Sequence, residues 1–214
     1  MEQSYSSKRY LIVNEVLNAV THGIGVGLSI AGLVILLVKG AKMGSPIHVV
    51  SYAIYGATLI LLFLSSTLFH SLIFTKAKTV FQVFDHSSIY LLIAGSYTPF
   101  CLTVIKGPLG WGLCLAVWAL AITGVIYKSL FLKKKGKTDV VLYIIMGWLC
   151  LFAFKPLFNG LGVEGTLLLA GGGVAYTVGA LFYSLKNVRF MHVVWHFFVL
   201  LGAGLMYFSV LFYT

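Results

Sequence analysis

Charged side chains are scarce in this sequence, and acidic ones are the scarcest. Charged residues make up 9% of the 214 positions, and five residues in all are Asp or Glu. Because soluble globular domains carry about 25% charged residues, this composition excludes an ordinary soluble domain. The 60% hydrophobic content and the mean hydropathy of +1.00 instead indicate a polytopic membrane protein.

Cysteine is also rare, and its spacing excludes a cysteine-based metal site. The three cysteines, Cys101, Cys114 and Cys150, do not form the closely spaced pairs that are typical of zinc ligands. We expect them to be buried, unreactive thiols.

Long apolar runs, by contrast, fill most of the chain. A run of about 20 apolar residues is long enough to cross the hydrocarbon core of a bilayer as a helix. Because the connections between the runs are short, the pattern predicts an all-α, seven-transmembrane helix bundle that forms a single domain over residues 1–214. The predicted spans are 14–38, 47–72, 84–105, 108–127, 139–158, 163–184 and 191–213.

The distribution of basic residues predicts how the bundle is oriented. If the N-terminus is cytoplasmic, eleven of the 15 lysines and arginines face the cytoplasm and four face outside. Since cytoplasmic connections carry the excess of Lys and Arg, we expect a cytoplasmic N-terminus and an external C-terminus in a multi-pass protein of the cell membrane. The net charge of +10 then reflects topology and contact with the lipid bilayer, and no nucleic-acid partner is expected.

Polar residues that a bilayer should exclude occur at the cytoplasmic ends of these spans. His192 and His196 are four residues apart at the start of the last span, and His70 lies near the end of the second. Residues four apart share a helix face, so two imidazoles can hold one metal ion. A third histidine leaves one tetrahedral position open, as in catalytic zinc sites. The sequence therefore predicts a Zn²⁺ ion bound by these three histidines.

Two further groups at this depth indicate what such a metal would do. Asp85, at the start of the third span, is placed to orient a zinc-bound water and accept its proton. Ser66, one turn before His70, is placed to hydrogen-bond the water or an oxyanion. The alternatives are that Asp85 caps its helix and that Ser66 packs or bonds to its own backbone. His86 directly follows Asp85 and is expected to point elsewhere.

A polar stripe on one face of the first span accompanies the histidines. It consists of Glu15, Asn18 and His22, which recur at helical spacing. These residues either orient the metal ligands, contact polar groups of a substrate, or form a buried structural cluster.

Small residues at four-residue spacing predict close helix packing in two other places. Gly23, Gly27 and Ala31 form such a stripe in the first span. Gly171, Ala175 and Gly179 form another in the sixth.

The ordered set of polar residues resembles the hemolysin III-like bacterial branch of the progestin and adipoQ receptor family. The resemblance covers nearly the whole chain and rests on the Glu15, Asn18 and His22 stripe, Ser66 with His70, Asp85, and His192 with His196, in that order. It implies zinc near the cytoplasmic face, held by the three histidines, with the serine and the aspartate beside its water. Members of the family also resemble alkaline ceramidases, which implies hydrolysis of a lipid amide.

Three functional hypotheses follow. The first is a zinc-dependent hydrolase whose substrate is a membrane lipid with an amide or ester bond. The second is a cytolysin or pore former, as the name of the bacterial branch implies, although few polar residues outside the site are available to line a pore. The third is a non-enzymatic membrane sensor in which zinc is structural. The sequence specifies neither the substrate nor the oligomeric state.

Overall fold

Helices account for nearly all of the structure, a computed structural model that describes residues 8–130, 138–185 and 188–214. No strand occurs within these ranges, so the all-α prediction is confirmed. The helices are α1 (Lys8–Lys42), α2 (Pro46–Ser71), α3 (Lys78–Pro99), α4 (Gly107–Leu130), α5 (Thr138–Trp148), α6 (Phe154–Ser184) and α7 (Met191–Tyr213). A π-helical segment, Phe100–Ile105, continues α3, and a 3₁₀ segment, Leu149–Ala153, joins α5 to α6.

Six helical stretches in the described ranges are long and apolar enough to cross a membrane. The stretch Asp139–Ser184 covers both the fifth and the sixth predicted spans. At 1.5 Å per residue, its 46 residues would extend about 69 Å, more than twice the hydrocarbon thickness of roughly 30 Å. Gly162, with φ 66° and ψ −171°, interrupts the helix between the two predicted spans.

Helices α1 and α7 run in the same direction. At their starts, the backbone N–H of Phe190 donates to the hydroxyl of Tyr10 at 3.1 Å. At their ends, Lys39 donates to the carbonyl oxygens of Leu211 and Thr214, at 2.8 and 2.6 Å. Helix C-termini leave carbonyl groups unpaired, and a cation satisfies them well. The start of α1 and the end of α7 therefore lie at opposite ends of the bundle.

The stretch between α4 and α7 goes to the far end of the bundle and returns. Asp139, at its start, forms an ion pair with the last turn of α4. Glu164 accepts a hydrogen bond from the hydroxyl of Tyr213, at the C-terminus of α7, at 2.5 Å. The ring of Tyr183 then lies 5.5 Å from that of His192, at the start of α7. These contacts fit the seven-span prediction.

Small residues let the helices approach, but not always at the predicted positions. A Cβ atom on Gly25 would lie 2.6 Å from the ring of Phe63, and one on Gly32 would lie 2.9 Å from that of Tyr207. A Cβ on Gly27 would meet nothing within 4 Å, so the stripe predicted in α1 is wrong at that position. The two close contacts are seven residues apart and lie against different helices, α2 for Gly25 and α7 for Gly32. In α6 the predicted stripe packs on α7, since a Cβ on Gly179 would lie 2.7 Å from Phe198.

Candidate metal centre

Three histidines from two helices meet at one end of the bundle. His70 belongs to the last turn of α2, and His192 and His196 belong to the first two turns of α7. One nitrogen of each lies within 4.8 Å of those of the others. The ring centroids are 5.0, 5.0 and 4.8 Å apart. The predicted convergence of these side chains is therefore present.

A carboxylate from α1 orients His70. The Nδ1 atom of His70 lies 2.7 Å from Oε2 of Glu15, and its Nε2 atom is buried with no hydrogen-bond partner among the described residues. The carboxylate accepts the proton on Nδ1, so the Nε2 lone pair is left for a ligand. Histidines that bind metals are held in this way by a carboxylate behind the ring.

The backbone of α1 orients His196 similarly. Its Nδ1 atom lies 3.2 Å from the carbonyl oxygen of Asn18 and 3.3 Å from Oγ1 of Thr21. The Thr21 hydroxyl donates to backbone carbonyl groups of its own helix, so its oxygen is an acceptor toward the ring. The proton therefore sits on Nδ1, and Nε2 remains available. Sequence reasoning missed Thr21, although it lies one turn after Asn18 on a polar face.

These residues fit a metal ion. Nε2 of His192, like that of His70, is buried without a hydrogen-bond partner among the described residues, which is unfavourable unless a ligand satisfies it. Zinc–nitrogen bonds of about 2.1 Å hold tetrahedral ligands about 3.4 Å apart. The three histidine nitrogens lie up to 4.8 Å apart, so small side-chain rotations would bring them to this spacing.

The α1 stripe packs directly against the histidines. Besides the contacts of Glu15 and of the Asn18 carbonyl, the ring of His22 stacks on that of His196, with centroids 3.6 Å apart and planes 8° from parallel. Both ring nitrogens of His22 and both amide atoms of Asn18 are buried without partners in the described ranges. All three predicted stripe residues therefore contact a histidine of the cluster, either His70 or His196.

A cavity of about 890 Å³ opens beside the histidines. Ser66, Asp85, His192 and His196 line it, whereas His70 does not. Asp85 lies seven residues inside α3, so it does not cap the helix. The Ser66 hydroxyl is buried with no hydrogen-bond partner among the described residues, so it does not bond to its own backbone.

His86 lines the same cavity, so the expectation that it points elsewhere is wrong. Its Nε2 atom lies 4.0 Å from Oδ2 of Asp85. Successive residues of a helix are 100° apart, and the cavity follows enough of the α3 surface to include both. Whether His86 faces the cavity depends on how far the cavity extends around α3, and the sequence does not show this.

The cavity is polar at one end and apolar at the other. Along α7 it extends from His192 to Met206, which at 1.5 Å per residue is about 21 Å. Leu92 and Val199 belong to its apolar wall. Near the histidines, the exposed Val188 marks an opening to the surface.

Known proteins share this chain's sequence over nearly its full length. The family described as "Haemolysin-III related" matches residues 10–207. This chain belongs to the haemolysin III-related family. Hemolysin-3 of Bacillus cereus is 46% identical over 214 residues, which cover 100% of this chain and 98% of that protein. Hemolysin-3 homolog of Bacillus subtilis (strain 168) is 47% identical over 204 residues, covering 95% and 96%.

A human member extends the haemolysin III likeness beyond bacteria. Monocyte to macrophage differentiation factor of Homo sapiens is 32% identical over 163 residues, which cover 73% of this chain and 67% of that protein. The predicted resemblance is thus confirmed. With its apolar helices, the haemolysin III-related chain is a multi-pass protein of the cell membrane.

Proposed function

We propose that this protein is a zinc-dependent hydrolase of a membrane lipid that carries an amide or ester bond. The observation that carries the proposal is the approach of three imidazole nitrogens to within 4.8 Å of one another beside a cavity walled by Asp85 and Ser66. Hydrolytic metal sites need ligands, a proton acceptor and a hydrogen-bond donor for the reacting oxygen. All three kinds of group meet here.

The donor set favours zinc. Three neutral imidazoles without a thiolate are the ligands of catalytic zinc sites, which keep one position open. The bond from His70 to Glu15 is the carboxylate–histidine contact that raises ligand basicity. Bound zinc lowers the pKa of its water to about 7 and polarises a carbonyl group.

The protein's own groups supply the remaining chemistry. Asp85 accepts the proton of the attacking water and returns it to the nitrogen or oxygen of the leaving group when the carbonyl–heteroatom bond breaks. The Ser66 hydroxyl donates a hydrogen bond to the carbonyl oxygen as negative charge develops on it. Water thus contributes its hydroxyl to the acyl product and its proton to the leaving group.

The shape of the cavity favours a lipid substrate. Its length of about 21 Å along α7 exceeds the roughly 15 Å depth of the hydrocarbon in one leaflet. An acyl chain bound along Val199 and Met206 therefore leaves its carbonyl group near the histidines. With a cytoplasmic N-terminus, the reaction takes place at the inner leaflet.

Metal analysis of purified protein tests the first part of the proposal. In the His192→Ala/His196→Ala double variant, zinc measured by mass spectrometry should fall from near-stoichiometric to background, because two of three ligands are lost. His48→Ala is the matched control, since His48 lies at the opposite end of the bundle, 2.6 Å from Ser45. Unchanged zinc in the double variant would refute the site.

The name Hemolysin-3 of the relative from Bacillus cereus favours a second candidate, a cytolysin. Release of a trapped dye from liposomes that contain the pure protein tests this activity. Leakage that persists in a His70→Ala variant would favour pore formation independent of the metal. Leakage in neither protein would leave the hydrolase as the better account.

A further inference from the structure

A second group of charges lies in the wall of the cavity, on helices other than those that carry the three clustered histidines. Lys128, in the last turn of α4, forms an ion pair with Asp139, in the first turn of α5, and both line the cavity. Lys128 is only 5% exposed. Ionisable side chains within membrane helices are unfavourable and usually have a function.

The ion pair lies at the polar end of the cavity. Tyr143, one turn after Asp139 on α5, donates a hydrogen bond to the backbone carbonyl of His86 at 2.9 Å. This bond docks the start of α5 against the part of α3 that carries Asp85. A headgroup held at the ion pair would therefore belong to a lipid whose reacting bond lies beside Asp85 and the histidines.

The Lys128 ammonium has hydrogen-bonding capacity to spare. It carries three N–H donors, and Asp139 is its one hydrogen-bond acceptor among the residues that the structure describes. Because Lys128 lines the cavity, a ligand bound there can accept from the remaining donors. The sequence between the two partners adds four lysines and no acidic residue, so the charge of this stretch favours an anion over a cation.

We propose that Lys128 binds the anionic headgroup, a phosphate or carboxylate, of the lipid that occupies the cavity. Asp139 holds the ammonium in place and competes with the headgroup for it. The inference rests on the proposed function in taking the cavity as the lipid site. It adds the substrate class, a lipid with a negatively charged headgroup.

The two partners should respond in opposite directions. Lys128→Gln removes the cation, whereas Asp139→Asn removes the competing anion and leaves the ammonium free. If the pair serves only to join α4 to α5, both variants break the same bond and behave alike. The direction of change therefore separates headgroup recognition from a purely structural role.

Lipid retention measures this difference without any turnover. The protein is reconstituted in vesicles of equal parts phosphatidylglycerol and phosphatidylcholine, and the lipids that stay bound are counted by native mass spectrometry. We expect the wild-type protein to be enriched in phosphatidylglycerol. Lys128→Gln should lower the enrichment about tenfold, the effect of one charge-assisted hydrogen bond, and Asp139→Asn should raise it.

Lys76→Gln is the matched control, because Lys76 is an exposed lysine in the α2–α3 connection at the same end of the bundle. Lys76→Gln should leave the enrichment unchanged, because a surface lysine attracts anionic lipid only in a general way and does not hold the lipid that stays bound. Shifts of Lys128→Gln and Asp139→Asn in the same direction, or no shift in either, would overturn the proposal. Displacement of phosphatidylglycerol by inorganic phosphate would assign the site to a free anion and overturn it as well.

The double variant Lys128→Gln/Asp139→Asn covers the case in which a single variant does not fold. Its two amides can still bond to each other, so helix packing is kept while the ammonium is gone. It must lose the enrichment, and a double variant that keeps it contradicts the proposal. The experiment measures lipid binding, so its result does not depend on hydrolytic activity. The headgroup proposal and the hydrolase proposal can therefore fail separately.

Discussion

At the scale of single residues, metal binding at the candidate centre would depend on which nitrogen of each histidine is left free. Glu15 and the Asn18 carbonyl accept hydrogen bonds from Nδ1 of His70 and His196, so Nε2 of each ring is left for a ligand. The sequence predicted the three ligands because His70, His192 and His196 lie at the same depth in their predicted spans, and side chains can meet only at a shared depth. It could not predict the tautomers, since these depend on how α1 is rotated against α2 and α7.

Glu15→Gln should weaken zinc binding by about 10- to 100-fold, the usual effect of losing the carboxylate behind a ligating histidine. The amide still accepts a hydrogen bond from Nδ1 but contributes no charge. Competition with a chromogenic zinc chelator measures the affinity. Glu164→Gln, which alters a carboxylate bonded to Tyr213 at the other end of the bundle, should bind zinc as the wild type does. Equal affinities for all three proteins would show that Glu15 does not support the site.

Asp85→Asn should keep the metal and lose turnover. Asp85 lines the cavity but is not one of the three clustered residues that would bind the metal. Removal of a general base reduces the reaction rate by about 10²- to 10⁴-fold. Fatty-acid release from a panel of amide and ester lipids is compared with zinc content in the same preparation. A variant that binds zinc and hydrolyses lipid at the wild-type rate would exclude Asp85 as the proton acceptor.

At the scale of helices, apolar runs located the membrane elements well but not their ends. Helix α3 starts at Lys78, six residues before the predicted span, because Lys78, Thr79 and Gln82 lower the hydropathy of its first turns. Asp85 therefore lies inside a helix rather than at its start. Hydropathy also cannot show which glycines make contacts. In α1 the close approaches fall on Gly25 and Gly32, and their positions depend on Phe63 and Tyr207 of other helices.

Gly162→Ala should destabilise the protein by about 1–3 kcal/mol, because positive φ combined with extended ψ is a backbone region that is essentially restricted to glycine. The φ angle at this break is 66°. Unfolding in mixed micelles with increasing denaturing detergent measures the loss. Gly204→Ala is the control, since an added Cβ there meets nothing within 4 Å, and it should be neutral or slightly stabilising. Equal stability of the two variants would mean that the break is not conformationally constrained.

At the scale of the whole molecule, the number of membrane crossings determines which side each connection faces, and this can be tested directly. With seven spans, a cysteine at Met43, between α1 and α2, and one appended after Thr214 face the same side. With six spans they face opposite sides. The contacts of Lys39 with the end of α7 favour the first arrangement.

Labelling of intact cells with an impermeant maleimide should modify a cysteine at Met43 and one appended after Thr214. A cysteine at Lys76 should react only after lysis, because it lies in a predicted cytoplasmic connection. The background protein has Cys101, Cys114 and Cys150 replaced by alanine. Reaction at Lys76 but not at Met43 in intact cells would invert the predicted orientation, and reaction at Met43 alone would contradict the odd number of spans.

The bond from Glu15 to His70 joins residues 55 positions apart, and the contact of Thr21 with His196 joins residues 175 apart. The parts of the candidate centre thus come from α1, α2 and α7, which are synthesised at different times. A nascent chain has only one of the three imidazoles until α7 enters the bilayer. A metal held by all three histidines would therefore load only after α7 has entered the bilayer, and its presence would report that this helix is inserted.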